Sequence, residues 1–289
     1  MTTFRIRHHT SYAYDGPVRL GGHRLMIRPR GGHDMRVLES SLVVSPPADV
    51  HWAFDTFGNS VARLTFQGAT DFLLIGSELT VRRYGVDEPL RRIARHAGPY
   101  PFAYDVDDRV DLAPLLASQF PEDRRAVEGW IGRAMPDPPA DCLDVLNRLS
   151  DAIHRSYAYG RREERGTRSP GETIALGGGT CRDFALLFME AARLLGFAAR
   201  FVTGYVYDPG SEGAEGALTG GGSTHAWADV FLPGVGWTEF DPTNRIVADR
   251  NLLRVATTRT PSQALPVSGV YEGTASSSMS VEVGVWRVD

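Results

Sequence analysis

The chain has 289 residues, of which 42% are hydrophobic, 23% are charged and 10% are aromatic, and its formal net charge is −4. This composition is typical of a folded globular protein and excludes a disordered, collagen-like or coiled-coil chain. The slightly acidic balance does not favour a nucleic-acid or membrane partner, and no apolar run approaches the roughly 20 residues of a membrane helix. The N-terminal segment lacks the apolar stretch of a signal peptide, so we expect a cytoplasmic protein.

The basic and sulfur-containing residues exclude several kinds of chemistry. All 31 basic residues are arginine, so a phosphate-loop nucleotide enzyme and Schiff-base chemistry are excluded. Cys142 and Cys181 are the two cysteines, which are too few for a disulfide framework and form no Cys-x-x-Cys zinc motif. We therefore expect no metal and no cofactor.

Residues 1–85 are predicted to form a β-rich N-terminal domain. Partly alternating patterns predict strands over Arg36–Val44, Ser60–Phe66 and Phe72–Tyr84. Turn signals occur at Gly21-Gly22, at residues 29–32 and 45–47, and at Gly58-Asn59. Short strands at this spacing suggest a β-sandwich-like domain. The proline-containing residues 86–120 are predicted to be an irregular connection.

Residues 86–289 are predicted to form a second, α+β domain in which helices precede an antiparallel sheet and the C-terminal strands. The predicted helices cover residues 121–135, 140–157 and 181–195, and Cys142 falls on the buried face of the second one. Thr180 is a suitable N-cap for the third helix, Asp183 completes a capping box, and Gly196 ends the helix. A strand over 197–207 follows, and the glycine-rich residues 209–223 are either a plain connector or a lid. The last strands are predicted near Val270 and over residues 278–288.

Cys181 is the candidate nucleophile because it falls in the first turn of a buried helix. The partial positive charge of a helix N-terminus stabilises a thiolate. Glycines before it, including Gly179, allow a substrate to approach, and N–H groups near Thr180 could hold an oxyanion. A cysteine that merely packs there is the alternative.

A predicted hairpin supplies the partners of this thiol. His225 and Asp241 share strand parity, and a turn around residues 232–234 that pairs the two would bring the carboxylate within reach of the imidazole. Ala226, Ala228, Val230 and Phe240 would then form the opposite, apolar face. Cysteine, histidine and aspartate make a poor zinc site but match the nucleophile, base and orienting carboxylate of a catalytic triad.

Three motifs resemble the bacterial transglutaminase-like superfamily. They are Gly178-Gly-Thr-Cys-Arg-Asp-Phe-Ala, His225-Ala-Trp-Ala-Asp-Val-Phe-Leu-Pro-Gly-Val-Gly-Trp and Glu239-Phe-Asp-Pro-Thr. Upstream, Ile6-Arg-His-His-Thr-Ser-Tyr-Ala-Tyr, Arg28-Pro29 and Asp55-Thr-Phe-Gly-Asn59 are similar to the β-rich N-terminal domain of that family. The resemblance implies a papain-like α+β core in which Cys181 is the nucleophile, His225 the general base and Asp241 its orienting residue. Family position also implies that Tyr159 and Trp227 flank the cleft.

One segment departs from the family pattern. Comparable members carry a Gly-Arg-Asp-Tyr-x-Asp-like segment after the hairpin, whereas this chain has Thr258-Arg-Thr-Pro-Ser-Gln263. Arg259 is kept, but Thr260 and Gln263 replace the acidic residues. The candidate triad is unaffected, and any substrate preference inherited from the family is in doubt.

The resemblance implies acyl transfer through a thioester formed on a peptide, isopeptide or glutamine-type amide. With water as the acceptor the protein is a peptidase or amidase, which we favour, and with a primary amine it is a transglutaminase. A third alternative is an inactive scaffold that binds peptide in the same cleft. The expected partner is therefore a peptide or protein substrate, and the sequence does not indicate an oligomeric state.

Overall fold

A computed structural model describes residues 1–84, 93–160, 162, 166–212 and 218–289. Within these residues the first five strands are β1 Thr2–Leu25, β2 Met35–Ser45, β3 Ala48–Phe54, β4 Ser60–Phe66 and β5 Thr70–Arg83. All five belong to one antiparallel sheet in the order β2-β5-β1-β4-β3. The predicted strands over 36–44, 60–66 and 72–84 are confirmed with small changes at their ends.

The strand β1 is long enough to serve both halves of this sheet. Its first half, up to Ala13, pairs with β5, and its last residues pair with β4. The predicted turn at Gly21-Gly22 is wrong: the two glycines lie inside β1, at a shift in its register against a C-terminal strand, Val267–Glu272. A side chain at Gly21 would lie 2.8 Å from a methyl group of Val270, so a glycine here allows the neighbouring strand to approach.

The chain returns to the first sheet at its C-terminus. The strands β13 Val267–Glu272 and β14 Ser277–Arg287 both pair antiparallel with β1. The last strands were expected to be part of the 86–289 domain, but their backbone hydrogen bonds join them to the N-terminal sheet. The partition at residue 85 stays a prediction, and so does the β-sandwich-like description of the first domain.

Helices occupy the middle of the chain. They are α1 Val106–Asp111, α2 Ala113–Leu116, α3 Arg124–Ala134, α4 Cys142–Ser156, α5 Pro170–Leu176 and α6 Cys181–Leu194. The helices predicted over 121–135, 140–157 and 181–195 are confirmed. The connection predicted to be irregular contains α1 and α2, while its residues 86–92 lie outside the described part. The two helices are short and α1 buries no residue. Their sequences therefore show no apolar periodicity from which a helix could be predicted.

A second sheet carries the hairpin. Its strands are β8 Ala199–Val206, β9 His225–Leu232, β10 Gly236–Asp241, β11 Ile246–Val247 and β12 Leu252–Thr258, in the antiparallel order β11-β10-β9-β8-β12. Two-residue strands β6 Ala158–Tyr159 and β7 Gly178–Gly179 pair with each other in parallel.

The helix α6 lies at the centre of the second half of the chain. Twelve of its residues are buried, from Cys181 to Arg193, as its apolar sequence predicts. It packs on the face of the second sheet that carries Ala226, Ala228, Val230 and Phe240, which confirms the predicted apolar face of the hairpin. The chain is therefore α+β. No described helix has the length and apolar composition that crossing a membrane requires.

Candidate active site

The start of α6 is fixed by a capping box around Cys181. Thr180 is the N-cap residue, and Asp183 accepts hydrogen bonds from the Thr180 N–H at 2.9 Å and from its hydroxyl at 3.0 Å. These contacts leave the Cys181 N–H outside the box, at the positive end of the helix dipole. Cys181 is 7% exposed and lines the cavity described below.

Asp183 also anchors the segment before the helix. Its carboxylate is fully buried and accepts from both terminal nitrogens of Arg162, at 2.9 and 3.3 Å, and from the Arg168 N–H at 2.7 Å. A buried carboxylate needs such partners because desolvation otherwise disfavours its charge. Sequence reasoning found Asp183 as a capping residue but missed Arg162, which lies 21 positions away and carries no local signal.

His225 and Asp241 are brought together, although not in the expected register. Phe240 pairs with Ala228, so Asp241 lies opposite Trp227 and diagonal to His225 instead of directly opposite it. The shift arises because Pro233, Gly234 and Val235 form a three-residue loop that Gly236 closes with a φ of +88°. The parity is unchanged, and His225 Nε2 lies 2.8 Å from Asp241 Oδ2.

Asn244 holds the same carboxylate from the other side. Its Nδ2 donates to Asp241 Oδ2 at 2.8 Å and to the Thr219 carbonyl at 3.0 Å, and its Oδ1 accepts from the Thr219 N–H at 2.8 Å. The Thr243 N–H donates to Asp241 Oδ1 at 2.9 Å. Both oxygens of a fully buried carboxylate are thus satisfied. The sequence gives only a weak signal for Asn244, its position three residues after Asp241.

The electrostatics of His225 are dominated by two opposing effects. Burial is the largest influence and lowers the pKa, but the charge and hydrogen bond of Asp241, together with the interaction with Cys181, outweigh it and raise the pKa of His225 to about 10. The imidazole therefore favours its charged form at neutral pH. Because Nε2 is engaged by Asp241, Nδ1 is the ring nitrogen left for the thiol.

The glycine-rich segment contacts this imidazole. Gly220 has a φ of +102°, and a side chain there would lie 2.5 Å from His225 Nδ1. Only glycine combines that backbone conformation with so close an approach. Residues 213–217 of the segment lie outside the described part, and the choice between lid and connector is left open there.

A cavity of about 780 Å³ contains the candidate nucleophile and base. Three of the predicted site residues line this cavity together: Thr180, Cys181 and His225. Gly179 is buried and pairs with Tyr159, and neither is among the lining residues.

Trp227 does not flank the cleft as the family position implied. It is fully buried, with its ring 6.0 Å from that of His225, and is not among the lining residues. In the structure it packs behind the imidazole.

The segment that departs from the family pattern forms another part of the cavity lining. Thr260, Pro261 and Ser262 line the cavity, and the Pro261 carbonyl accepts from Arg182 at 2.7 Å. The guanidinium of Arg182 also lies 4.9 Å from the Phe201 ring centre. The segment 258–263 thus fixes the side chain of Arg182, the residue directly after the candidate nucleophile.

Cys142 does not line this cavity and is a core residue, as predicted. It is fully buried and its thiol donates to the Pro99 carbonyl at 3.3 Å. Burial, with a smaller contribution from Asp141, raises the pKa of its thiol to about 11. Across the part of the chain that the structure describes, no cluster of three or more histidine, cysteine or acidic side chains could hold a metal ion.

Comparison with known families places both halves of the chain. Residues 4–82 match the bacterial transglutaminase-like N-terminal region, and residues 132–242 match the transglutaminase-like superfamily. The second match includes Cys181, His225 and Asp241. The chain therefore belongs to the bacterial transglutaminase-like proteins, as the three motifs indicated.

Individual relatives extend over nearly the whole chain. The uncharacterized protein Rv2569c of Mycobacterium tuberculosis is 26% identical over 98% of this chain and 92% of its own length. The uncharacterized protein ML0607 of Mycobacterium leprae is 23% identical over the full length of both. A crystal structure from Cytophaga hutchinsonii, described as a "putative cysteine protease", is 21% identical and matches with a TM-score of 0.77 over 100% of this chain and 91% of that one.

The likeness to the Cytophaga hutchinsonii structure establishes a shared fold. The superfamily match supports a cysteine-dependent enzyme in general.

Proposed function

We propose that this protein is a thiol acyl-transfer enzyme that hydrolyses a peptide, isopeptide or glutamine-type amide through Cys181, His225 and Asp241. The observation that carries the proposal is the position of His225, which bonds Asp241 through Nε2 at 2.8 Å and lines the same cavity as Cys181. This is the arrangement of nucleophile, base and orienting carboxylate that acyl transfer requires.

In the first half of the reaction, the shared proton of the Cys181–His225 pair is held on the imidazole, and the sulfur attacks the amide carbon. The carbon–nitrogen bond then breaks, and the leaving amine takes the proton from the imidazolium. In the second half, water gives a proton to His225 and attacks the thioester, the carbon–sulfur bond breaks, and the proton stays on the imidazole, which restores the starting pair. Asp241 keeps one ring orientation through both halves.

The oxyanion formed in each half needs donors near Cys181. The Cys181 N–H lies at the N-terminus of α6 and is not used by the capping box of Thr180 and Asp183. A backbone donor at a helix N-terminus stabilises developing negative charge. We assign this N–H to the oxyanion; Thr180 then acts by fixing the helix start.

The lining of the cavity supports water as the acceptor. None of its described residues is aspartate or glutamate, and two of them, Arg162 and Arg182, are arginine. A lysine side chain arrives as an ammonium ion, for which such a lining offers no carboxylate as a counter-charge. Water has no such requirement, so hydrolysis is favoured over transfer to an amine.

The test is mass analysis of glutamine-containing peptides incubated with and without a primary amine. Hydrolysis predicts cleaved fragments, or a gain of 1 Da where a glutamine side chain is deamidated, even when the amine is present. Incorporation of the amine would instead show a transferase, and unchanged peptides would favour the inactive scaffold. Cys181→Ala should abolish the reaction, whereas Cys142→Ala is the matched control that should keep it. Turnover by the Cys181 variant would overturn the proposal.

A further inference from the structure

The cavity that contains Cys181 and His225 has a second wall, which the first sheet supplies. Alternate residues of β1 and of β14 face into the cavity, and the register places them in directly opposed pairs. We call this set the cleft wall: Thr10 opposite Val281, Tyr12 opposite Met279, and Tyr14 opposite Ser277. Because these positions alternate along both strands, they lie on one continuous face of the sheet.

The cleft wall presents apolar surface to an open cavity. Met279 is 49% exposed and Val281 is 38% exposed. At the far end Tyr14 packs edge-on against Tyr271, with the ring centres 4.9 Å apart. Covering apolar surface gains about 25 cal/mol per Å², and ligand sites are typically concave with such linings. An apolar group bound along this wall would therefore be stabilised.

The two arginines that line the cavity already donate hydrogen bonds to other groups of the protein, and His8, which also lines it, is neutral. Arg162 donates to Asp183, and Arg182 donates to the Pro261 carbonyl. Burial lowers the pKa of His8 to about 4, so its ring is neutral, and it bonds the Tyr205 hydroxyl and Thr10. Among the described lining residues, recognition by an opposite charge is thus less available than recognition by apolar contact.

We infer that the cleft wall binds the substrate as an extended peptide and selects apolar or aromatic side chains beside the reactive amide. This inference rests on the proposed function and specifies its substrate class. From Thr10 to Tyr14 the strand advances about 14 Å at roughly 3.4 Å per residue. An extended peptide alongside it would place about four residues on the wall.

Met279→Glu is the variant that tests this inference. Met279 is exposed, so a carboxylate there should leave the fold intact while it opposes apolar side chains and attracts cationic ones. Val43→Glu is the matched control, because Val43 is a 60% exposed apolar residue in the same sheet that is not among the cavity-lining residues. The probes are two glutamine peptides that are identical except for phenylalanine or lysine on both sides of the glutamine.

For the wild-type enzyme we expect kcat/KM to be at least tenfold higher with the phenylalanine peptide. Met279→Glu should lower kcat/KM for that peptide about tenfold, mainly through KM, and should narrow or reverse the preference. Val43→Glu should keep the wild-type preference. If Met279→Glu changes the ratio less than twofold, or if Val43→Glu changes it equally, the inference is wrong.

Binding to the Cys181→Ala variant separates failure of this inference from failure of the proposed function. Fluorescently labelled forms of the same peptides are titrated with Cys181→Ala and with Cys181→Ala/Met279→Glu. If the wild type turns over neither peptide but binding of the phenylalanine peptide depends on Met279, the wall is supported and the enzyme assignment fails. If the wild type is active but Met279→Glu changes neither binding nor specificity, the wall fails and the enzyme assignment stands.

Discussion

Asn244 donates a hydrogen bond to the Asp241 oxygen that also faces His225, with both contacts at 2.8 Å. The same amide bonds the N–H and the carbonyl of Thr219. One side chain therefore connects the segment before β9 to the carboxylate that orients the imidazole. It acts on the proposed chemistry through Asp241, so we regard it as a positioning residue.

Asn244→Ala should reduce kcat about tenfold to a hundredfold with little change in KM. The reason is that a hydrogen bond to a charged group contributes about 1.5–3 kcal/mol, and its loss frees Asp241 to move away from His225. Steady-state kinetics on a glutamine peptide measure the effect. Asn251→Ala, just before β12, is the control and should retain wild-type kinetics. A rise in KM at constant kcat would contradict the positioning role.

The two cysteines should differ sharply towards iodoacetamide at pH 7. Cys181 opens into the cavity beside His225, whereas Cys142 is fully buried and its pKa is raised to about 11. We expect alkylation of Cys181 alone, followed by peptide mass mapping, and slower alkylation in His225→Ala because the thiolate loses its partner. Equal labelling of both cysteines in the folded protein would contradict an assembled site.

Local sequence signals predicted the parts of the site that depend on neighbouring residues. Thr180 and Asp183 are three positions apart, so the capping box around Cys181 could be read directly. The parity of His225 and Asp241 was also correct, because it requires only alternation. The register could not be fixed, since it depends on whether the three-residue loop covers residues 232–234, as predicted, or 233–235, as observed.

The features that the sequence did not reveal depend on contacts between distant residues. The pairing of β14 with β1 joins residues more than 260 positions apart. The sequence of neither strand indicates which strand it pairs with. The contact of Arg162 with Asp183 is likewise set by the fold. Alternation places Trp227 on the same face of β9 as His225. Only the packing shows that Trp227 is fully buried against the imidazole and does not line the cavity.

Asp241→Asn should move the basic limb of the kcat/KM profile to lower pH. Although burial lowers the pKa of His225, the charge of Asp241 is the largest contribution that raises it, to about 10. Without that charge, the effect of burial lowers the pKa of His225. The imidazolium that protonates the leaving amine is therefore lost at a lower pH. We also expect kcat to fall by about 10²-fold or more. Asp249→Asn is the control. A basic limb at the wild-type pH would show that Asp241 does not set this pKa.

Asp229 and Glu239 are directly opposed on β9 and β10, and both are buried. Arg200 donates to Asp229 at 2.9 Å, and Arg83, from the N-terminal sheet, donates to Glu239 at 2.7 Å. Burial chiefly, and the charge of Asp229 in addition, raise the pKa of Glu239 to about 7 against the opposing effect of Arg83. This carboxyl group therefore favours its protonated form more in the folded than in the unfolded chain.

The free energy of unfolding should consequently carry a contribution from Glu239 that falls as pH rises. Between about pH 4.5 and 7 the folded state binds more protons at this group than the unfolded state, so stability is lost across that window, by about 1–3 kcal/mol. His8, whose pKa is lowered to about 4, contributes with the opposite sign between pH 4 and 6.5.

The contributions of Glu239 and His8 to stability are separated by comparing urea unfolding of the wild type and Glu239→Gln at pH 5 and pH 8. From pH 5 to pH 8 the free energy of unfolding of Glu239→Gln should rise relative to that of the wild type. The variant Glu78→Gln, at an exposed position, should show no such pH-dependent difference from the wild type. A difference independent of pH would mean that Glu239 is ionised throughout this range.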